Sequence, residues 1–192
     1  MAYETTDRDF NAMLHKKLTN RESLLDIGSG PCVLLDTFPY ASIVALEIHR
    51  PYLINRATNA SHIIPLNADA REIHKLFVPK SFSAVSFIDS IEHFTKHDAH
   101  LLLQKAEMIA KHHVVIYTPR GFFPQQYVDH FGLNGEKFQT HRSGWEPAEL
   151  EQLGYEVTIL KGMHDQRNPA FVHAFGLEHA PIDALLAIKY LG

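Results

Sequence analysis

Short apolar runs recur with a beat of about twenty residues, at 23–27, 43–47, 63–67, 84–88 and 113–118, and each closes on a polar or acidic residue. A helix-compatible stretch follows each run. This is the rhythm of repeated strand–helix units, which lay their strands side by side in a parallel sheet. The runs are continuous rather than alternating, as suits strands covered on both faces. The clearest helix is expected at 98–111, where Leu102, Leu103, Ala106, Ile109 and Ala110 return on one helical face. Shorter helices are expected at 51–60 and 71–77, with a leading helix, a candidate lid, at 9–18.

After Thr118 the pattern changes. Pro119, Gly121, Pro124, Gly132, Gly135 and Gly144 break up a stretch rich in Phe, Tyr and His, which predicts a long mobile connection of the kind that carries substrate contacts. Regularity returns with a helix at 147–153 and strands at 155–160 and 185–190. No repeat, low-complexity tract or linker divides the chain. A length of 192 residues suits one domain: a leading segment to residue 20, a first half over 21–120, and a substrate-side region with the last two strands over 121–192.

The chemistry is concentrated where the strands end. Leu24-Leu25-Asp26-Ile27-Gly28-Ser29-Gly30-Pro31-Cys32 is an apolar strand entering a Gly-x-Gly turn, with a helix start expected after it. Glycines there let backbone N–H groups approach a ligand without a Cβ in the way. A dinucleotide fingerprint wants a third glycine three residues after the second, and that position is Val33. Asp26 instead favours a cationic group, such as the amino group of a methionine moiety, over a pyrophosphate. One unit later Glu47 ends its strand where a carboxylate accepts ribose hydroxyls, with Ile48 beside it. Asn67-Ala68-Asp69-Ala70 offers an acceptor to an adenine amino group, and Phe87-Ile88-Asp89-Ser90-Ile91-Glu92-His93 brings a carboxylate and an imidazole to the same edge.

These segments resemble the class I S-adenosylmethionine-dependent methyltransferases, in particular the small-molecule subgroup whose fourth strand ends in D-x-x-E-H; the resemblance spans 22–121. It implies a Rossmann-like, seven-stranded, mostly parallel α/β sheet with an antiparallel last strand and helices on both faces. It implies that Asp26, Gly28 and Gly30 hold the methionine end, Glu47 the ribose, Asp69 with Ala70 the adenine, and that Asp89 borders the methyl donor. The product would be S-adenosylhomocysteine. The pattern departs from the family at Cys32, where a third small residue, often glycine, usually stands.

Several residues carry a functional and a plain structural meaning together. His93 is a candidate general base, or an imidazole that only shapes the pocket. His93, His97 and His100 fall at i, i+4 and i+7, but only the first two have two-ligand spacing, no HExxH motif is present, and no metal is expected. Phe122, Phe123, Tyr127, Phe131, Phe138 and Trp145 either line an acceptor pocket or pack a core. Within this region Phe122, His141, Arg142 and Trp145 are the candidate acceptor contacts, His141 and Arg142 suiting an anionic or hydroxylated acceptor.

A net charge of −4 supplies no field for a phosphate backbone, and the fourth strand lacks the Asn/Asp-Pro-Pro-aromatic run that grips a flipped base, so nucleic acid is not the expected partner. The single cysteine, Cys32, and the lack of any long apolar run or signal-like segment point to a cytoplasmic protein without a membrane partner. The expectation is methyl transfer to an oxygen or nitrogen of a small molecule. An NAD-linked oxidoreductase and a cofactor-binding scaffold without turnover are the alternatives.

Overall fold

The computed structural model describes residues 2–17 and 21–192. In chain order it contains β1 (Tyr3–Thr5), α1 (Phe10–Lys17), β2 (Ser23–Ile27), β3 (Ser42–Glu47), α2 (Arg50–Ile54), β4 (Ile63–Asn67), α3 (Ile73–Leu76), β5 (Phe82–Ile88), α4 (Lys96–Ile109), β6 (Ala110–Pro119), α5 (Glu136–Gln139), α6 (Pro147–Gln152), β7 (Glu156–His164), α7 (Pro169–Phe175) and β8 (Ile182–Tyr190). The strands form one sheet in the order β1-β7-β8-β6-β5-β2-β3-β4. Every neighbouring pair is parallel except those made by β8, which runs against both β6 and β7.

All five strands of the parallel half and the last two fall where the apolar runs predicted them. The sheet has eight strands rather than seven. The addition is β1, whose Tyr-Glu-Thr sequence carries no apolar signal and joins the edge of β7 through backbone pairing. The leading helix appears as α1, while its expected end at Leu18 lies outside the described residues. Its Phe10 ring packs 4.1 Å from that of Tyr117, so α1 covers a sheet face. No described residue before position 18 lines either of the cavities described below.

Side chains alternate across the sheet as strand geometry requires. Leu25, Ile27, Val85, Phe87, Val114 and Ile116 face one core, with α4 and α6 laid over it. Leu24, Ile43, Ala84, Val115 and Leu186 face the other, beneath α1 and the turn residues Cys32 to Tyr40. Helix α4 buries Ala99, Leu102, Leu103, Ala106 and Ile109, and Thr95 caps it by accepting the Asp98 amide at 3.1 Å. It begins earlier than the periodicity indicated, and Ala110 already belongs to β6.

Three expectations fail. Strand β4 is not covered on both faces: it is the sheet's edge, Ile64 is exposed, and Pro65 is tolerated because an edge strand need not donate every amide. The helices after β3 and β4 are single short turns. No α-helix follows the glycine turn either; Leu35–Thr37 makes one 3₁₀ turn before β3 begins. Among the described residues, no helix is long and apolar enough to cross a membrane.

Candidate active site

Strand order reverses about β2, which has β3 on one side and β5 on the other. At such a switch point the loops leaving the carboxyl ends part and open a crevice. Two adjoining cavities occupy it, of about 470 and 280 Å³. Gly28, Asp89, His93 and Gln139 line both, so the two cavities are immediate neighbours.

The larger cavity has Glu47, Ile48, Asp69 and Ala70 on its wall, beside Leu46, Phe94 and Phe138. Glu47 is buried; its Oε1 accepts the His49 amide at 2.7 Å and its Oε2 the Gly30 amide at 3.0 Å. Burial pushes its carboxyl above the usual range, against the pull of those amides. Each oxygen keeps a further lone pair for a ligand hydroxyl. Ile48 is exposed beside it and offers an apolar face. Asp69 caps the turn after β4 and is gripped by Arg71, whose Nη2 lies 2.6 Å from Oδ2. That contact holds the Asp69 carboxyl below its ordinary value.

The smaller cavity reaches from Asp26 and the glycine turn to the irregular segment beyond β6. Asp26 is buried and accepts the Ser86 hydroxyl at 2.5 Å. Burial raises its carboxyl to about 7, with Ser86 opposing and Glu47 adding to the rise. Gly28, at φ +73°, and Gly30, at φ +52°, take left-handed backbone. Cys32 is buried at φ +59°, which explains why this position favours glycine: the cysteine is held in a conformation that L residues adopt at a cost.

Asp89 also sits at positive φ, +47°, with its amide donated to the Tyr117 carbonyl at 2.9 Å. It lines both cavities, and desolvation raises its carboxyl although the residue is open to the cleft. Glu92 is raised by burial and by Asp89, and accepts the Thr118 hydroxyl at 2.9 Å. His93 and His141 tilt toward one another with ring centroids 5.0 Å apart. Burial pushes them down, to about 3 and about 4.

Of the candidate acceptor contacts, His141 reaches the smaller cavity. Phe122 does not: it is turned to solvent, and the neighbouring Phe123, buried, forms the wall. Trp145 lines neither cavity; it is fully buried beneath Lys96, whose ammonium lies 3.6 Å from the ring centroid. Arg142 borders the larger cavity, but its guanidinium is spent on the carbonyls of His93, Thr140 and Lys137. The segment expected to be a mobile connection is accordingly tied down. Asp129 accepts the Leu133 and Asn134 amides, His49 holds the Leu133 carbonyl, and Gly121 pairs with Trp145. Glu92, Gln125, His130 and His164 also line the smaller cavity and had no assigned role. Glu92 stood in the D-x-x-E-H pattern, and the abundance of histidine, fourteen in all, was the hint of His130 and His164.

No family model matches the sequence, and no curated protein matches it. Solved structures do. A candidate methyltransferase from Bacillus halodurans C-125 superposes with a TM-score of 0.65 at 13% identity, covering 94% of this chain and 98% of that one. The fold is that of the S-adenosylmethionine-dependent methyltransferases. Such an enzyme from Archaeoglobus fulgidus gives a TM-score of 0.62 at 18% identity over 96% and 95% of the two chains. One from Mesorhizobium loti gives 0.61 at 14% identity over 93% and 96%. The methyltransferase fold therefore spans almost the whole chain without an added domain in these neighbours.

Proposed function

We propose that the chain is an S-adenosylmethionine-dependent methyltransferase that methylates an oxygen or nitrogen of a small molecule. The observation that carries this reading is the pair of adjoining cavities at the switch point, one walled by Asp26, Gly28 and Gly30 and the other by Glu47, Ile48, Asp69 and Ala70. A buried carboxylate raised to about 7 is matched to a cationic amino group, and a carboxylate already oriented by two backbone amides is matched to a pair of hydroxyls. The cofactor supplies a methyl group already activated on a sulfonium. The chain's own contribution is to orient donor and acceptor and to exclude water.

A dinucleotide fits this crevice poorly. Its pyrophosphate needs a helix N-terminus after the glycine turn, and here only a 3₁₀ turn follows. The smaller cavity, with Phe123, Gln125, His130, His141 and His164 on its wall, is of a size for a small acceptor. The buried lone cysteine is consistent with a cytoplasmic location.

Calorimetric titration with S-adenosylhomocysteine and with NAD in parallel tests the reading. Micromolar binding of the first, weakened by Asp26→Asn, is expected. Binding of NAD alone would overturn it, and binding of the product without turnover on any acceptor would leave a scaffold.

A further inference from the structure

We propose that Glu92, His93 and His141 form a binding site for one divalent transition-metal ion, with open positions facing the acceptor cavity. One ligating atom from each residue lies within 4.8 Å of the others. Two donors on a common ion at about 2.1 Å are separated by up to about 4.2 Å, so small side-chain rotations close the set.

Hydrogen bonding sets both imidazoles in the form a metal requires. Nδ1 of His141 lies 2.7 Å from the Phe123 carbonyl and Nδ1 of His93 lies 3.3 Å from that of Thr140. A carbonyl only accepts, so an Nδ1 bonded to one carries the proton and leaves the lone pair on Nε2. Metal-bound histidines are held in this way, by a backbone acceptor on the far nitrogen. Glu92 is held likewise, its Oε2 accepting the Thr118 hydroxyl.

The scaffold beneath these side chains is built to keep them together although they come from distant parts of the chain. The Glu92 carbonyl accepts the Arg142 amide at 2.8 Å and the Ser143 amide at 3.1 Å, which lays the strand-like segment carrying His141 against the turn carrying His93. The Arg142 guanidinium then binds the His93 and Thr140 carbonyls.

A set of two imidazoles and one carboxylate, without thiolate, suits manganese, iron(II), cobalt or zinc rather than calcium or magnesium. With three protein ligands, positions remain for acceptor oxygen atoms. A hydroxyl bound there is acidified and gives its proton to solvent, His93 having its lone pair engaged on the ion. This favours an acceptor with two adjacent oxygen atoms that chelate the ion. The role toward the acceptor rests on the methyltransferase reading above; metal binding does not.

The test is titration of the chelator-treated full chain with cobalt(II), followed by its visible absorption bands, alongside calorimetry with S-adenosylhomocysteine. One equivalent should bind, and zinc should displace it. Glu92→Gln and His141→Ala should each weaken cobalt binding by about tenfold or more, while a His97→Ala, His100→Ala double variant binds as the parent does. Should His141→Ala not fold, Glu92→Gln carries the test. Absence of the bands at millimolar cobalt, or equal binding by parent and Glu92→Gln, overturns the proposal. Cobalt binding without S-adenosylhomocysteine binding supports the metal site and overturns the methyltransferase reading instead.

Discussion

The Gly30 amide donates a 3.0 Å hydrogen bond to Oε2 of Glu47, tying the turn after β2 to the carboxylate that ends β3. The two halves of the proposed cofactor site are thereby linked before any ligand arrives. The other oxygen of Glu47 is engaged by the His49 amide, so both oxygens are needed as acceptors.

Glu47→Gln should therefore cost more than the loss of a charge. Its NH₂ must face one of the two backbone amides, donor against donor, at about 1–3 kcal/mol. S-adenosylhomocysteine affinity is expected to fall about 10- to 100-fold, which is about 1.4–2.8 kcal/mol, with the circular dichroism spectrum retained. Unchanged affinity by calorimetry would remove Glu47 from the site.

Asp26 gives a prediction in pH. Its carboxyl is raised from 3.8 to about 7, so between these values the folded protein holds a proton that the unfolded chain has lost. Stability from this residue is complete at low pH and is lost as the pH rises through about 7. Asp26→Asn, which can still accept the Ser86 hydroxyl, should be more stable than the parent by ~1–3 kcal/mol at pH 8, and the gap should shrink toward pH 4. It should also bind S-adenosylhomocysteine more weakly, having lost the partner for the amino group. Urea denaturation at several pH values checks the first part, and a pH-independent gap would show that Asp26 is not the titrating group.

The strand ends were legible because covered parallel strands must be apolar throughout, and because parallel topology brings the acidic residues at or just beyond their ends to one edge. Asp26, Glu47, Asp69 and Asp89 could therefore be placed together before their contacts were known. What lay beyond reach depended on backbone that carries no period. β1 pairs through main chain alone, so Tyr3, Glu4 and Thr5 needed no apolar pattern. The meeting of His93 with His141 depends on Arg142 and Ser143 donating to the Glu92 carbonyl, a contact no spacing rule anticipates. Phe122 and Phe123 are indistinguishable by type, and only the turn at Gly121, φ +73°, decides which one faces the cavity.

The two turn glycines should fail differently. Both have positive φ, so alanine strains either by about 1 kcal/mol. At Gly28 an added Cβ would also lie 2.7 Å from the Cβ of Ser90, whose hydroxyl is anchored on the Ile27 carbonyl. At Gly30 nothing stands within 4 Å. Gly28→Ala should lose ~2–4 kcal/mol of stability, whereas Gly30→Ala should lose ~1 kcal/mol and chiefly weaken ligand binding by putting a methyl group into the crevice. Thermal melts with and without S-adenosylhomocysteine separate the two, and equal losses would contradict the Ser90 contact.

Trp145 provides the complementary case of a residue that matters to the fold and not to the ligand. It is the single tryptophan, fully buried, and capped by Lys96, which also pairs with Glu149 at 2.6 Å. Truncation to alanine leaves a large void and is expected to cost ~3–5 kcal/mol. Trp145→Phe keeps part of the ring volume and should cost ~1–2 kcal/mol, with S-adenosylhomocysteine affinity unchanged, since the residue borders neither cavity. Because the substitution removes the fluorophore, unfolding must be followed by circular dichroism. A Trp145→Phe protein of parental stability that binds the ligand poorly would mean that Trp145 reaches the crevice after all.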